Sequence, residues 1–589
     1  MSVTERETTT GRETVAAGTG HGGTGLPHHP HGTALPDASA IDVETLRGRR
    51  ATNRWERTSV GDVFERLTWA RPDEPVLTGC PGAYGDERFA AVTPKQADAV
   101  ANRLAHALAA AGLRPADRVV LICENSVEAF LTKIGIAKAG MVAVPLNPNL
   151  APDVLSHILR LTEPGFAIVD AELWPGVESA FAATGTGVGA TITVGGGPVP
   201  GSVSFADLLD GHPDTEPDVE IHGDDIWELL FTSGTTAMPK GVMISHGSTH
   251  LAGMNFALAL SRGLRHECDL RVATYLPMIY HIGDQLFPFG ALLAGGSFVL
   301  GRGPAPGPVA EAISGHRATA LWAGSPQFVT ALTAELEARP ELDVGALTTL
   351  VYGWGALSPG LLDRLDARAG HEIVTLGIFG QTEAIACYRF WPTRWPDVHR
   401  ATAPSVNYVG VPSGLLGSDV VDELGEPVRG AAGEAVYRSP IMTAGYYKDV
   451  ASTREAFRGS WFHSGDSALV DDQGLRIMVD RYKDIVKSGG ENVSSMRVEA
   501  VLHEHPAVLR AAVIGLAHER WGEAVTAVVV PREGAAPTAD DVIAFCKGRL
   551  GGYETPKAVV FADALPETVG GKVLKYKLRA TYADLYRRA

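Results

Sequence analysis

The sequence predicts an α/β protein whose larger part is built on parallel-rich sheets with helices. Segments with helical spacing of apolar residues alternate with short apolar runs between residues 94 and 148, and further apolar runs recur between residues 272 and 376. Such alternation is typical of parallel sheets covered by helices. The length of 589 residues is enough for two or three domains and a large core.

The first helix is predicted from a start signal at Thr93. Pro94 suits the first helical position, Gln96 completes a capping box, and apolar residues then keep helical spacing up to Gly112. Further along, we expect a strand over 118–123, a helix over 127–139 capped by Ser126, a strand over 140–148, a flexible glycine-rich connection over 184–201, and strands over 226–231, 272–276, 297–300, 318–323, 348–352 and 372–376.

Composition and charge argue against several classes of protein. A net charge of −17 argues against a nucleic-acid-binding surface. Five cysteines without a CxxC pair indicate reduced thiols in a cytoplasmic protein, rather than a disulfide or zinc framework. No apolar run is long enough for a membrane span, and the N-terminus lacks the apolar core of a signal peptide. Residues 1–50 are predicted to be a disordered tail, with a metal site at its histidines as the less favoured alternative.

One stretch of twelve residues has the composition of a polyphosphate site. After the strand that ends near Phe231, four hydroxyl residues, two glycines and Lys240 follow within ten positions. Small residues let the backbone approach a ligand, and N–H groups, hydroxyls and an ammonium suit phosphate oxygens. It is not a Walker A loop, because Gly241 follows the lysine where that motif needs Ser or Thr. The alternative is a Thr/Ser-rich surface turn.

This order of residues resembles the phosphate loop of the adenylate-forming superfamily, which includes acyl-CoA synthetases, aryl-CoA ligases, luciferases and peptide-synthetase adenylation domains. Ala237 stands where that family usually has glycine. The resemblance implies that the loop binds the β- and γ-phosphates of ATP through Thr232, Ser233, Gly234, Thr235, Thr236 and Lys240.

Three further stretches resemble family motifs around the nucleotide and the acid. Residues 276–283 resemble the motif that places His281 between the acyl carboxylate and the phosphates; a buried structural histidine is the alternative. Asp284 could hold a substrate amine, but a loop aspartate is favoured. Residues 352–359 resemble the adenine-binding segment, in which Trp354 replaces a small residue and either stacks on adenine or narrows the acyl pocket. The nucleotide-binding residues implied here are Trp354, Gly355, Ile378, Phe379 and Thr382.

Glu383 is the implied metal ligand. It ends the stretch 377–383, which resembles a Tyr-Gly-x-Thr-Glu motif, and a carboxylate beside a triphosphate suits Mg²⁺. Asp466, in a Ser-Gly-Asp turn, is the implied acceptor for the ribose hydroxyls, and Arg481 is implied to contact the ribose. Turn aspartates and charged surface turns are the alternatives.

The C-terminal motifs imply a mobile small domain. Lys483 matches the family hinge, Lys487 matches a position used in thioester formation, and Ser488, Gly489 and Gly490 match the backbone beside the pantetheine tunnel. Lys572 matches the adenylation lysine, whereas the basic residues after it, including Lys575 and Arg579, are predicted to be surface charges. The implied organisation is a tail over 1–50, a large adenylation domain over 51–482 and a small α+β domain over 483–589.

The resemblance implies ATP-dependent activation of a carboxylic acid to acyl-AMP, with pyrophosphate release and transfer to coenzyme A as a thioester. We expect a hydrophobic acid, because residues 323–326, Trp354, Ile378 and Phe379, which would line the pocket, are mostly apolar and uncharged. One alternative is adenylation alone, with acyl-AMP passed to a carrier protein or partner ligase. Another is a non-catalytic nucleotide-binding protein, which the intact motif lysines and carboxylates disfavour. The oligomeric state is left open, and a dimer is compatible with the sequence.

Overall fold

The structure, a computed structural model, describes residues 59–192, 199–232, 238–261, 269–280, 282–404, 406–422, 424–481, 484–488, 491–547, 549–567 and 573–586. The predicted N-terminal tail lies outside these residues.

The strands, in chain order, are β1 Leu77–Gly79, β2 Ala91–Val92, β3 Arg118–Ile122, β4 Val142–Pro145, β5 Phe166–Asp170, β6 Ala190–Ile192, β7 Val203–Ser204, β8 Ile226–Thr232, β9 Lys240–Ser245, β10 Arg271–Thr274, β11 Ser297–Leu300, β12 Ala320–Gly324, β13 Thr349–Tyr352, β14 Val374–Gln381, β15 Ala384–Phe390, β16 Asn407–Pro412, β17 Gly417–Val421, β18 Gly433–Arg438, β19 Phe462–Val470, β20 Arg476–Arg481, β21 Val486–Ser488, β22 Glu491–Val493, β23 Val508–His518, β24 Gly522–Pro531 and β25 Ala558–Phe561.

The α-helices are Asp62–Ala70, Pro94–Ala110, Val127–Lys138, Pro152–Thr162, Trp174–Thr184, Phe205–Leu209, His246–Ser261, Phe287–Leu293, Pro306–Gly315, Pro326–Ala338, Pro359–Ala369, Pro396–Thr402, Val450–Ala456, Ser495–His503, Ala539–Lys547 and Lys575–Thr581. Within the described ranges, none of them combines the length and apolar character needed to cross a membrane.

These strands form three sheets. A seven-stranded sheet has the order β7-β6-β5-β3-β4-β8-β9, and a thirteen-stranded sheet has the order β17-β18-β19-β20-β16-β15-β14-β13-β12-β10-β11-β1-β2. A smaller sheet contains β21 to β25. Pairing is parallel from β11 through β10, β12 and β13 to β14, and from β6 through β5, β3 and β4 to β8. The predicted α/β class is therefore confirmed, with antiparallel strands completing the larger sheet.

Local signals in the sequence determine where several helices begin, as predicted. Thr93 Oγ1 accepts the Gln96 N–H while the Gln96 side chain accepts the Thr93 N–H, and the helix begins at Pro94. Ser126 caps the helix Val127–Lys138 by accepting the Ala129 N–H. Such caps satisfy N–H groups that a helix leaves without partners.

The glycine-rich connection differs from its prediction. Residues 190–192 form the buried strand β6, which pairs in parallel with β5, while 193–198 lie outside the described residues. Here pairing with a neighbouring strand overrides the weak local preference.

The main core lies between the two large sheets and includes Phe130, Trp227, Phe256, Phe287 and Trp322. A separate core supports the small sheet, built on Val486, Val513 and Val525 with the helix that contains Val498. The described cysteines, at positions 80, 123, 387 and 546, are free thiols.

Candidate active site

The predicted phosphate loop connects two antiparallel strands. Thr232 ends β8, Lys240 begins β9, and the two residues are directly paired. The Thr232 hydroxyl lies 3.5 Å from the Lys240 carbonyl oxygen. Ser233, Gly234, Thr235 and Thr236 fall outside the described residues. The hairpin therefore fixes where the loop leaves the sheet and where its lysine begins the return strand.

Tyr446 connects the predicted phosphate lysine with the predicted metal ligand. Lys240 Nζ lies 4.8 Å from the centre of the Tyr446 ring, and the Tyr446 hydroxyl donates to Glu383 Oε1 at 2.9 Å. Burial, with the nearby Glu383 charge, raises the pKa of Tyr446, so the phenol keeps its proton as a donor. The arrangement places an ammonium over the face of the Tyr446 ring and a carboxylate at its hydroxyl.

The segment around Tyr446 holds the two sheets together at this point. Met243 N–H donates to the Gly445 carbonyl at 2.9 Å, and Thr443 N–H donates to the Glu383 carbonyl at 2.9 Å. Gly445 has φ +123°, and a Cβ there would lie 2.7 Å from Thr453 Cγ2, so the position requires glycine. The backbone of this segment thus sets the distance between the β9 lysine and the turn at Glu383.

Thr382 and Glu383 form the turn between β14 and β15, where Gln381 pairs with Ala384. Glu383 is 9% exposed. A carboxylate is a ligand that Mg²⁺ prefers, and Mg²⁺ is commonly held by one or two carboxylates together with substrate phosphates. The donor set at this turn therefore fits Mg²⁺.

The predicted ribose residues lie side by side on β19 and β20. Asp466 and Arg481 are directly paired across the strands, with Arg481 Nε 3.2 Å from Asp466 Oδ1. Glu434, on β18, shapes the turn that carries the aspartate: its carboxylate accepts from Gly465 N–H at 3.0 Å and lies 2.7 Å from His463 Nδ1. The buried Asp466 carboxylate is therefore placed by three antiparallel strands.

A cavity of about 170 Å³ opens where the parallel strands β10, β12 and β13 end. Ligands of open α/β sheets commonly bind at this edge. Trp354, two residues beyond β13, is 48% exposed and has φ +62°. The lining residues are Tyr275, Leu276, Pro277, Pro304, Trp322, Ala323, Gly324, Ser325, Phe328 and Trp354. Gly355 follows Trp354 in the bend after the strand, and a Cβ there would lie 3.3 Å from Pro326 Cγ.

Ile378 and Phe379 point to opposite faces of β14. Ile378 packs in the main core, whereas Phe379 packs on the other face with its ring centre 5.9 Å from that of Tyr388. Neither residue lines the cavity, and Pro326 does not line it either. Because adjacent residues of a strand face opposite sides, the two β14 side chains do not share this cavity, and their place in the acyl pocket stays a prediction.

A buried polar network underlies the motif that contains His281. Lys133 and Glu228 form an ion pair, both within 2% of complete burial, and Gln285 Nε2 donates to Glu228 Oε2. Lys133 Nζ also donates to the Met278 carbonyl at 3.2 Å. Gln285 lies in the π-helix Ile282–Leu286, a form often found at functional sites. His281 and the Asp284 side chain lie outside what is described.

Burial raises the pKa of Glu228 and lowers that of Lys133, and the contact between them opposes both shifts. Each partner therefore favours the charged form of the other against the effect of burial.

Lys487 and Ser488 lie on the hairpin formed by β21 and β22. Lys487 is exposed, its N–H donates to Glu523 Oε2 at 2.7 Å, and Ser488 is buried opposite Gly522 on β24. Gly489, Gly490, the predicted hinge residue Lys483 and the predicted adenylation lysine Lys572 all lie outside the described residues.

Comparison with known proteins places this geometry in a family. Residues 64–447 match the model of the AMP-binding enzyme, and residues 497–572 match that of the AMP-binding enzyme C-terminal domain. The chain belongs to the AMP-binding enzyme family.

Several relatives within the family are acid–CoA ligases. A feruloyl-CoA synthase of an Amycolatopsis species is 34% identical over 82% of this chain and 92% of its own. The long-chain-fatty-acid–CoA ligase FadD13 of Mycobacterium tuberculosis is 31% identical over 84% of this chain and 93% of its own. The solved structure of the anthranilate CoA ligase AuaEII with anthranoyl-AMP superposes with a TM-score of 0.77 at 25% identity, covering 90% of this chain and 98% of that one. This chain is an AMP-forming acid–CoA ligase, which converts an acid to acyl-AMP with ATP and then to a CoA thioester.

The end of β20 in this ligase is bonded directly to the helix Ser495–His503. The buried Asp480 carboxylate accepts the Ser495 N–H at 2.7 Å and the Ser495 hydroxyl at 2.6 Å. Arg481 N–H donates to the same side chain at 2.7 Å. The strand that carries Arg481, the arginine predicted to contact the ribose, is therefore tied to the small sheet's helix just beside the predicted hinge.

The prediction that Lys575 and Arg579 are surface charges is wrong. Lys575 Nζ lies 2.8 Å from Glu499 Oε1 and is 12% exposed, and Arg579 Nη2 lies 2.7 Å from Asp484 Oδ1. Burial alone would lower the pKa of Lys575, but Glu499 and its acidic neighbours outweigh this and raise it. The terminal helix folds back onto acidic groups that are far away in the sequence, and the local sequence does not show these contacts.

Sequence reasoning missed Tyr446, Glu434 and Trp322. Tyr446 follows Gly445 in a Gly-Tyr pair, and such a pair shortly after a strand is the signal that could have found it. Glu434 and Trp322 lie inside strands, where the residue pattern gives no hint of a neighbour from another strand.

Proposed function

We propose that this ligase activates a hydrophobic carboxylic acid large enough to carry an aromatic ring. The cavity at the ends of β10, β12 and β13 supports this, since its lining contains Trp322, Phe328 and Trp354 and no charged side chain. An apolar cavity of about 150 Å³ is known to hold benzene. A cavity of about 170 Å³ has room for one ring, and its open side leaves the carboxylate free to face the nucleotide.

In the adenylation step, Lys240 and the loop before it bind the β- and γ-phosphates, while Asp466 and Arg481 hold the ribose. The support is the contact chain from Lys240 through Tyr446 to Glu383. Glu383 would hold Mg²⁺, which supplies neutralisation of the phosphate charge when bound. The Tyr446 hydroxyl fixes the orientation of that carboxylate.

The chemistry is an attack of the acid's carboxylate oxygen on the α-phosphorus of ATP. A bond forms between that oxygen and phosphorus, and the bond to the bridging oxygen breaks, so pyrophosphate leaves. Negative charge concentrates on the phosphoryl oxygens, so catalysis depends on positioned cations and donors. We assign Lys572 to the carboxylate and the α-phosphate, and His281 to the space between them.

In the second step, a thiol attacks the acyl carbon and AMP leaves. We assign Lys487, Ser488, Gly489 and Gly490 to this step, with the part of the chain after residue 482 turning about Lys483 between the two reactions. Such alternation is a common way of separating two chemistries. Coenzyme A supplies the thiol; a carrier protein is the alternative acceptor.

The test is carboxylate-dependent ATP–pyrophosphate exchange with aromatic acids, straight-chain acids and amino acids, followed by product analysis with and without coenzyme A. We expect exchange with aromatic acids and a thioester only when the thiol is present. Exchange restricted to short or charged acids would contradict the proposed substrate class. A thioester formed on a carrier protein but not on coenzyme A would show that the acceptor is a carrier protein.

Amino acids form a separate arm of this test. The cavity offers no described anion for an ammonium, and an unpaired buried charge costs several kcal/mol, roughly 3–5 when a pair is broken. We expect no exchange with free amino acids. Strong exchange with one of them, lost in Asp284→Ala, would contradict the proposal.

A further inference from the structure

We propose that the acid carries an oxygen acceptor away from its carboxylate, and that this oxygen accepts a hydrogen bond from Trp322 Nε1. This inference rests on the proposed function and narrows its substrate class to oxygen-substituted aromatic acids. It makes Trp322 a specificity-determining residue of the cavity.

The first observation is a buried donor without an acceptor. Trp322 is 2% exposed, and no acceptor among the described residues lies within hydrogen-bonding distance of its Nε1. Trp227 provides the comparison: it is equally buried, and its Nε1 donates to Thr249 Oγ1 at 2.9 Å. Buried donors in folded proteins nearly always have a partner, so each exception calls for one.

The second observation is that packing prevents the indole from turning to find a partner. Phe287 stacks on Trp322 with ring centres 4.9 Å apart and an interplanar angle of 21°, and Trp354 packs edge-on at 5.8 Å. Phe256 packs edge-on against Phe287, with the two ring centres 4.6 Å apart. Gly353 lies so close that a Cβ there would be 3.2 Å from Trp322 Cη2. The orientation of the N–H is therefore fixed before any ligand arrives.

The third observation is that Trp322 lines the cavity that we assign to the acid. Other polar groups of the lining are engaged within the protein. The Tyr275 hydroxyl lies 3.2 Å from both Cys80 Sγ and the Pro308 carbonyl, and Ser325 Oγ accepts the Phe328 N–H at 3.2 Å. A ligand oxygen in the cavity is thus the natural partner for the indole.

The chemistry of indole limits the class of ligand. An indole N–H donates and does not accept, so it favours a carbonyl, ether or phenolic oxygen over an ammonium. An acid with a methylene or methyl group in place of that oxygen fills the same volume but leaves the N–H unpaired. The site should therefore discriminate between acids of equal size.

The experiment uses pairs of benzoic acids matched in size, with the full-length enzyme and pyrophosphate release as the readout. The pairs are 4-methoxy against 4-ethyl, 3-methoxy against 3-ethyl, and 4-acetyl against 4-isopropyl. In at least one pair we expect kcat/KM to favour the oxygen-bearing member by about tenfold to a hundredfold, the range for leaving one buried donor unpaired.

Trp322→Phe removes the donor and keeps an aromatic ring. We expect the ratio within the preferred pair to fall to about one. Trp69→Phe is the matched control, because Trp69 is 54% exposed and does not line the cavity, and it should keep the ratio. Melting curves identify a variant that fails to fold, and the absence of any preference in the wild-type enzyme would contradict the inference without any variant.

Pyrophosphate release with several aromatic acids but no preference in any pair would overturn this inference and leave the proposed function standing. A preference that Trp322→Phe preserves would also overturn it. No release with any aromatic acid would instead overturn the proposed function itself.

Discussion

At the scale of single residues, Tyr446 is the contact that turns two separate motifs into one site. It touches Lys240 through its ring and Glu383 through its hydroxyl. The hydroxyl orients the carboxylate that we assign to Mg²⁺, and partners of this kind are worth about 10–100-fold in metal affinity or activity. The residue acts through Glu383, so its effect should appear in the metal dependence of the reaction.

Tyr446→Phe should therefore raise the Mg²⁺ concentration needed for half-maximal pyrophosphate release by roughly tenfold or more. Tyr447→Phe, which changes the neighbouring ring, serves as the control and should leave that concentration unchanged. Titrations with Mg²⁺ at saturating ATP and acid make the measurement. An unchanged titration in Tyr446→Phe would show that the hydroxyl does not position the carboxylate.

The residues found and missed show what the sequence can predict at this scale. Thr382 and Glu383 lie in a short motif after a predicted strand, so their place at a strand end was predictable. Tyr446 is 63 positions from Glu383, and only the packing of the two large sheets brings them together. The hydrogen bond missing from Trp322 is likewise invisible in a sequence, because it depends on what surrounds a buried ring.

At the scale of elements, the buried Lys133–Glu228 pair joins the helix Val127–Lys138 to β8, the strand that leads into the phosphate loop. The pair also supports the π-helix that follows His281, through Gln285. Removing one partner leaves an uncompensated buried charge, which costs about 3–5 kcal/mol. The network therefore serves both stability and the position of two predicted site segments.

Lys133→Met should lower the melting temperature by several degrees and slow adenylation. Lys95→Met, on the exposed side of another helix, is the control and should melt like the wild type. Replacing both partners, as in Lys133→Met with Glu228→Leu, should recover part of the lost stability, because an apolar pair can replace a buried ion pair. A single variant as stable as the control would contradict this account of the network.

The terminal helix allows a second prediction at this scale. Lys575→Met should destabilise the part of the chain around Glu499 and Asp480, since Lys575 pairs with Glu499, whose side chain is 17% exposed, and its charge also acts on the buried Asp480. Lys577→Met, two residues along the same helix and exposed, is the matched control. Hydrogen exchange in the helix Ser495–His503 should rise in the first variant only. Equal protection in both variants would mean that the ion pair contributes nothing there.

Element boundaries were predicted well where local signals exist. The capped helices at Thr93 and Ser126 and the strand 297–300 follow from caps and apolar runs. The strand β6 was not predicted, because it depends on pairing with β5. The ion pairs of the terminal helix were not predicted either, because they depend on the chain folding back over many residues.

At the scale of the whole molecule, the described residues assigned to the reaction lie on or beside strands of three different sheets. Lys240 comes from the seven-stranded sheet, Glu383 and Asp466 from or beside strands of the thirteen-stranded sheet, and Lys487 from the small one. The central claim is that separate lysines serve two half-reactions on one chain. We assign Lys572 to adenylation, and Lys487, on the small sheet's hairpin, to thioester formation.

The most direct measurement of this claim is the rate of each half-reaction in Lys572→Ala and in Lys487→Ala, with Lys577→Ala as the control. Adenylation is followed by pyrophosphate release, and thioester formation by adding coenzyme A to supplied acyl-AMP. Lys572→Ala should lose about a hundredfold or more in adenylation, the loss typical of removing a transition-state contact, while thioester formation stays near the wild-type rate. Lys487→Ala should show the opposite pattern. Equal losses in both half-reactions, in variants that melt like the wild type, would contradict the division of labour.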